Sequence, residues 1–191
     1  MRALIDIAIA IIVALGVGMG SVWYTVGSFD ALAHARSGPW DAVIVTGVRD
    51  ATPYMRAILA RTAATPLPAT EALVFHASTD STGKSLRAEC TYRIASAEIE
   101  TRWWTLSVTD DDGNLIPNPL ERYALSSQSI LRERDGSFEI IMSPRVRAGN
   151  WLPSPPSGRV RLTLALYDTR LYTNGGLAEI PLPKITAEGC E

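Results

Sequence analysis

The chain has 191 residues and a formal net charge of −2, with acidic and basic residues interspersed along it. Its two lysines, Lys84 and Lys184, are far apart, and no basic cluster of the kind that binds nucleic acid is present. No basic run lies beside the apolar amino-terminal segment either, which argues against binding to anionic lipid headgroups.

The first predicted element is a membrane-spanning helix. Residues Ile7–Tyr24 carry no charge, and a helix of that length spans about 27 Å. This length approaches the ~30 Å hydrocarbon core of a bilayer. Arg2 precedes the segment, Asp6 lies at its edge, and the first charge after the segment is Asp30, so the positive-inside bias places the amino terminus in the cytoplasm.

A cleaved signal peptide is the alternative interpretation of this segment. Signal peptides have an apolar region of about 7–15 residues and small residues at the cleavage site. Here the apolar run is longer and ends in Trp23 and Tyr24, which suit a position among lipid headgroups. We therefore expect an uncleaved signal-anchor in the bacterial inner membrane, crossing once, with the carboxy-terminal domain in the periplasm.

We expect three parts in the chain: a transmembrane signal-anchor over 1–26, a tether over 27–50 and a folded domain over 51–191. The last part has an ordinary length for one domain. It opens on a short amphipathic helix, with Thr52 as N-cap and Pro53 at the first helical position. Residues 55, 58, 59 and 62 follow the spacing of one buried helical face.

Strand patterns follow the helix. The predicted strands are Ala72–Ala77, Cys90–Ala95, Trp103–Thr109, Phe138–Met142 and Arg159–Leu166. Apolar residues alternate in the third (104, 106, 108) and the fifth (160, 162, 164, 166), which predicts one inward face for each. Residues 42–48 are apolar enough for a further strand.

Asp-Gly pairs at 112–113 and 135–136 predict tight turns between these strands. Several short strands separated by such turns and by proline-rich loops favour an antiparallel β-sandwich or jelly roll. The predicted fold class is therefore mainly β, with one short amphipathic helix and a single transmembrane helix before it.

Cys90 and Cys190 are the two cysteines. In an oxidising compartment a disulfide between them is the default, and the alternative is two free thiols. The bond would close a loop of about 100 residues, which the chain-entropy treatment values at up to ~4.7 kcal/mol. We expect it to clamp the carboxy terminus onto the sandwich.

An ordered set of short motifs carries a family resemblance. The motifs are 103–108 (WWTLSV), 112–115 (DGNL), 118–119 (NP), 122–123 (RY), 135–137 (DGS), 150–153 (NWLP) and 164–167 (LALY). In this order and spacing the chain resembles the bacterial domain-of-unknown-function family "twelve-fourteen". The resemblance covers about residues 50–185 and also takes in the helix at 54–57 and the strand entry at 71–72.

The resemblance implies a β-sandwich and no firmly assigned activity. In that family the domain often follows a second uncharacterised domain, "twelve-fifty-four", in exported proteins. This chain departs from the pattern by having a membrane helix in place of that domain, and Val108-Thr109-Asp110 in place of a tyrosine before the turn. The resemblance therefore suggests a partner: a separate membrane protein that carries the "twelve-fifty-four" domain.

The sequence contains no recognisable catalytic or metal motif. A serine hydrolase would need a G-x-S-x-G elbow and a positioned histidine, and His76 has only Asp80 as a conjectural carboxylate partner. The acidic run 110–112 lacks the glycine and glutamate positions of an EF-hand, so a solvated turn is the preferred interpretation. We predict no cofactor and no metal ion.

Aromatic and polar side chains from several motifs could line a cleft between the sheets. These cleft candidates are Trp103, Asp110, Asp112, Arg122, Tyr123, Asn150 and Trp151. Packing is the preferred role for the large aromatics: Trp104 fits the inward face, and Trp151 is expected to plug the open end of the sandwich. Asn150 would then cap the loop backbone through its side-chain amide.

Two functions remain open. The first is a non-catalytic envelope module that binds a protein partner or an envelope component. The second is a periplasmic hydrolase or ligand-binding enzyme with a site in the sandwich cleft, using Asp110, Asp112, Arg122 or His76. The missing motifs favour the first and leave catalysis undecided. A filled apolar interior would support the module, and a deep polar pocket gathering those residues would support the enzyme.

Overall fold

The computed structural model describes residues 2–28, 34–43, 71–111, 113–168 and 181–190, together with 53, 56, 60, 67–68, 172–173 and 176–177. Its first element is the helix α1, Arg2–Ser28. Residues Arg2–Tyr24 of α1 form a candidate membrane span of mean hydropathy 2.4, with none of its surface buried against the protein. Those 23 residues are about 35 Å long as a helix, enough to cross a bilayer.

Two sheets and a small hairpin make up the strands of the described chain. The strands are β1 His34–Ser37, β2 Trp40–Val43, β3 Ala72–Ala77, β4 Cys90–Ser96, β5 Trp103–Thr109, β6 Ala124–Ser126, β7 Phe138–Ser143, β8 Trp151–Pro153, β9 Arg161–Tyr167, β10 Tyr172–Thr173, β11 Gly176–Leu177 and β12 Lys184–Cys190.

The larger sheet has six strands in the order β1-β2-β3-β9-β5-β6, and the second has four in the order β12-β4-β7-β8. Every neighbouring pair is antiparallel except β7 and β8, which run parallel. Strands β10 and β11 form the separate hairpin. The predicted fold class, a mainly β sandwich behind a long apolar helix, is confirmed.

The predicted alternation explains how the two sheets enclose one core. Positions 104, 106 and 108 of β5 and 162, 164 and 166 of β9 are buried, and they lie opposite one another in the strand register. The ring of Trp104 stacks on Phe138 of the other sheet, with centroids 4.8 Å apart. The interior is therefore filled by side chains from both sheets.

Strands β1 and β2 lie within residues 27–50, where the sequence predicts a tether. Strand β2 pairs with β3, and the buried Trp40 belongs to the core cluster. The indole Nε1 of Trp40 donates to the carbonyl oxygen of Pro183 at 2.6 Å, just before β12. The sandwich thus begins upstream of residue 51. Most of the predicted amphipathic helix falls outside the described residues, and its described positions Pro53, Arg56 and Ala60 are helical.

The last strand, β12, is fastened to the sandwich at several points. A disulfide joins Cys90 to Cys190, as predicted, and the two residues face each other in the register of β4 and β12. The backbone N–H and C=O of Ile185 are both hydrogen-bonded to Ser81, whose side chain accepts and whose N–H donates. These bonds occupy part of the outer edge of β12.

Candidate functional site

The cleft candidates do not form one site. Trp103 is the first residue of β5 and Asp110 directly follows its last residue, so the two are about 23 Å apart at the rise of a strand. Asp112 lies outside the described residues. The candidates therefore separate into an exposed aromatic pair, a turn, and a group at the edge of the sandwich.

Trp103 belongs to the outer surface of the six-stranded sheet. Its ring packs on that of Tyr167 at 4.8 Å, and 37% of the residue is exposed. The neighbouring residues Arg102 and Asp168 form an exposed ion pair at 3.5 Å. Trp103 thus does not face the interior cleft.

Asp110 organises a turn. One carboxylate oxygen accepts the backbone N–H of Asn114 at 2.8 Å, and the other accepts the side-chain amide of Asn114 at 3.1 Å. The backbone N–H of Gly113 donates to the carbonyl of Asp110, and Gly113 has a φ of +87°. A left-handed φ favours glycine. This arrangement matches the predicted turn rather than a catalytic carboxylate.

Arg122, Tyr123 and Trp151 are brought together where the edges of the two sheets meet. The Arg122 guanidinium lies 6.0 Å from the centroid of the Trp151 ring and donates to the Trp151 carbonyl at 3.4 Å. The indole N–H of Trp151 donates to the carbonyl oxygen of Ser143 at 3.0 Å. Trp151 is buried, and it closes the sandwich edge as a packed residue.

Asn118 fixes the loop that carries Arg122. Its Oδ1 accepts the backbone N–H groups of Leu120 and Arg122, and its Nδ2 donates to the Arg122 carbonyl. Sequence reasoning quoted Asn118 as part of a motif and gave it no role. The Asn-Pro pair, a common start of a turn, was the available signal.

The space beside this group is small. A pocket lined by Ile116, Asn118, Arg122, Tyr123 and Ser154, among others, holds about 10 Å³. A volume of ~10–15 Å³ is what a single water molecule needs. The group packs the sheet edge, and the space beside it fits a single water molecule.

Asn150 has the capping role expected of it. Its Oδ1 accepts the backbone N–H of Leu131 at 2.6 Å, and its Nδ2 donates to the carbonyl oxygens of Leu131 and Glu139, both at 2.8 Å. Asn150 therefore ties the loop before β7 to β7 itself. Both N–H groups of its side-chain amide, and the amide oxygen, take part in this structural role.

His76 and Asp80 do not form a catalytic pair. The Nδ1 of His76 lies 3.0 Å from Oγ1 of Thr163 on the neighbouring strand. Oδ1 of Asp80 accepts the N–H and hydroxyl of Thr82 and the N–H of Lys84. Burial raises the pKa of Asp80, but these hydrogen bonds outweigh burial, so its pKa lies below the usual value.

No set of three His, Cys, Asp or Glu side chains is arranged to hold a metal ion within the described ranges. A second concavity lies elsewhere: an open groove of about 680 Å³ on the outer face of the four-stranded sheet. Of the cleft candidates that the structure describes, Asn150 alone lines it. Sequence reasoning missed this groove because its walls come from β4, β7, β12 and two loops.

The fold and surfaces define a class: a β-sandwich domain behind a candidate membrane span. Comparison with known families assigns it further, since a model described as "Protein of unknown function (DUF1214)" matches residues 71–171, more than half of the chain. The chain belongs to this family, in agreement with the predicted resemblance. No curated protein matches the chain.

Two solved structures resemble the protein. The VPA0106 protein from Vibrio parahaemolyticus has a TM-score of 0.65 and 21% identity, over 90% of this chain and 43% of that one. An uncharacterised protein from Burkholderia cenocepacia has a TM-score of 0.48 and 20% identity, over 67% of this chain and 32% of that one. The first likeness shows the shared fold. The chain spans less than half the length of these structures.

Proposed function

We propose that this protein is a non-catalytic binding module of the bacterial envelope. In this proposal α1 holds it in the inner membrane, and the sandwich lies in the periplasm and binds a protein partner or an envelope component. The observation that carries the proposal is the filled interior, where Trp104, Leu106, Ile140, Leu162 and Leu164 are almost completely buried. A packed core leaves binding to the outer surfaces.

The proposed compartment is supported by two independent features. A disulfide between Cys90 and Cys190 is stable in an oxidising compartment such as the periplasm and rare in the cytosol. The helix α1 is long and apolar enough to span the inner membrane. The positive charge of Arg2 at its start favours an amino terminus in the cytoplasm. Both features fit a sandwich on the periplasmic side.

The proposed partner is a membrane protein, and the family resemblance suggests one that carries the "twelve-fifty-four" domain. In the Vibrio relative the matched region makes up 43% of the chain, so that fold occurs there beside a larger remainder of protein. A contact that one protein makes within its chain can be made by another between chains. This comparison supports the partner, and recovery of the partner tests it.

Topology is tested first. Alkaline phosphatase and a fluorescent protein that folds only in the cytoplasm are each fused after Glu191. We expect phosphatase activity and no fluorescence from the full chain, and the reverse after deletion of residues 2–24. Sequencing of the amino terminus then tests cleavage. Phosphatase activity that is independent of residues 2–24, or a mature terminus near residue 25, contradicts the proposed anchor.

Binding is tested by crosslinking in cells and affinity purification of the full chain from native membranes. The control bears residues 1–28 joined to an unrelated periplasmic domain, so both samples contain the same membrane helix. We expect one membrane protein or envelope polymer to be recovered with the full chain and absent from the control. Identical recoveries from both would overturn the proposal of a binding sandwich.

A further inference from the structure

The groove of about 680 Å³ on the four-stranded sheet has the volume of a small-ligand site. It crosses the sheet, from Lys184 on β12, over β4 and β7, to the loop segments 131–133 and 148–150. In the register Lys184 lies opposite Ala95, and Ala95 lies opposite Glu139. The small side chain of Ala95 between two long ones produces the concave cross-section.

The walls of the groove are fixed without a ligand. Asn150 ties Leu131 to Glu139 through three hydrogen bonds. The guanidinium of Arg132 donates to the carbonyls of Gly136 and Ser127 at 3.1 and 3.3 Å. A site whose walls are already ordered loses less conformational entropy when a ligand binds.

Two opposite charges at the ends of the groove lack partners within the described structure. Arg93 binds the carboxylates of both Glu139, at 3.1 Å, and Glu188, at 2.7 Å. The Lys184 ammonium is therefore left without an anion, and the Glu133 carboxylate at the far side makes no ion pair with a described residue. Three strand spacings separate the two backbones, about 14 Å.

The lining between these charges mixes small apolar residues with polar ones, and the charged groups of Arg132 and Glu139 in it already have protein partners. Ala95 and Ala97 form part of the floor, Ile141 is half-buried there, and Leu131 is 71% exposed at the rim. An extended peptide covers 3.3–3.6 Å per residue, so about four residues span ~14 Å. A peptide also carries a carboxylate at one terminus and an ammonium at the other.

We propose that this groove binds a short extended peptide with small side chains, whose carboxylate contacts Lys184 and whose amino group contacts Glu133. The proposal rests on the function proposed above, since it names the ligand class of the binding module. The terminus of a longer chain would supply only one of these two charges, so the proposed ligand is a free peptide. A charged tetrapeptide reproduces the features that the groove would recognise.

The test uses the full chain in nanodiscs and tetraalanine with free termini, measured by calorimetry. We expect Lys184→Met and Glu133→Gln each to weaken binding about tenfold, the loss of one favourable charge contact. Lys84→Met and Glu71→Gln make the same charge changes outside the groove and leave binding unchanged. Acetylated and amidated tetraalanine, which lacks both charges, binds at least tenfold more weakly in the expected result.

The two lysines provide a second measurement that needs no variant. Tetraalanine should slow acylation of Lys184 and leave acylation of Lys84 unchanged, as followed by mass spectrometry. Equal protection of both lysines, or binding that survives capping of both termini, would overturn the peptide site. The peptide site would also be overturned if calorimetry showed no heat of tetraalanine binding and the acylation of Lys184 were not slowed.

A separate outcome distinguishes this inference from the proposed function. If Lys184→Met and Glu133→Gln leave crosslinking to a membrane partner intact while tetraalanine does not bind, the module remains and the groove assignment is wrong. If tetraalanine-like termini on a longer chain bind and free tetraalanine competes with them, the groove recognises a single chain terminus and the assignment to a free peptide is wrong. If free tetraalanine binds and the same sequence at the end of a longer chain does not, the ligand is a free peptide.

Discussion

Cys90 and Cys190 are covalently joined across two strands that are already paired in register, and one of the two is the last residue of the final strand. The bond therefore adds little to the local geometry of the sheet and much to the connection of the chain end. It keeps β12 beside β4, and with it Lys184 at the end of the groove.

Reduction of this disulfide should lower the free energy of unfolding. A bond that closes a loop of about 100 residues stabilises by up to ~4.7 kcal/mol, and typical values are ~2–4 kcal/mol. Urea unfolding of the full chain in detergent, followed by circular dichroism with and without a phosphine reductant, measures the difference. Cys190→Ser is the control, because reductant should not change its midpoint. An unchanged midpoint for the reduced natural protein contradicts the expected role.

Asn150→Ala should destabilise the domain by about 2–3 kcal/mol, because three hydrogen bonds to the backbone are lost. Asn114→Ala is the matched control: Asn114 makes its side-chain bond to Asp110 in an exposed turn, so we expect a loss below ~1 kcal/mol. Urea midpoints of both variants measure the contrast. Equal losses would mean that Asn150 is no more than a turn residue.

The strands that the sequence predicts best are those with a buried face over six or seven residues. Strands β3 and β5 have the bounds that the sequence predicts, and in β5 the alternation of apolar residues runs through the whole strand. Successive side chains of a strand point to opposite faces, so a strand with one buried face shows an alternation of apolar and polar residues in its own sequence. No knowledge of the partner strands is needed.

The short strands could not be predicted in this way. Strands β1 and β2 have four residues each, too few for a period to show. The burial of Trp40 depends on Pro183, 143 positions away in the chain. Strand β8 follows Asn150 in a proline-rich stretch that looks like a loop, and it is a strand because β7 pairs with it.

The groove was equally beyond sequence reasoning, and for a related reason. Its floor consists of small residues such as Ala95 and Ala97, which carry no chemical signal. Among its charged residues, Lys184 reaches this face only through the pairing of β12 with β4, and Glu133 comes from the loop before β7. The aromatic motifs give a stronger signal in the sequence, but their side chains are packed in the sandwich or lie on the opposite sheet.

Trp151→Ala and Trp103→Ala should have very different effects. Trp151 is buried and donates to Ser143, so its removal should cost about 3–5 kcal/mol. Trp103 is more than one-third exposed and stacks on Tyr167, so its removal should cost about 1 kcal/mol or less. Urea unfolding followed by circular dichroism compares them. A loss of unfolding free energy in Trp151→Ala as small as that in Trp103→Ala would contradict the packing role of the Trp151 ring.

The stability of the domain should fall in acid partly because of Asp80. Its pKa in the folded protein lies below the usual 3.8, so the ionised carboxylate stabilises the fold above that pH. The contribution is lost as the pH falls through the folded-state pKa. Asp80→Asn should cost about 1–2 kcal/mol at pH 7, because a neutral amide accepts the same hydrogen bonds less strongly.

Asp135→Asn is the comparison for this titration. Hydrogen bonds from Ser137 lower the pKa of Asp135 as well, but Asp135 is exposed, whereas Asp80 is 3% exposed. Urea midpoints measured from pH 7 to pH 3 should therefore show less pH dependence for Asp80→Asn than for the natural protein, and nearly unchanged dependence for Asp135→Asn. Equal pH dependence in Asp80→Asn and the natural protein would mean that other carboxylates control acid unfolding.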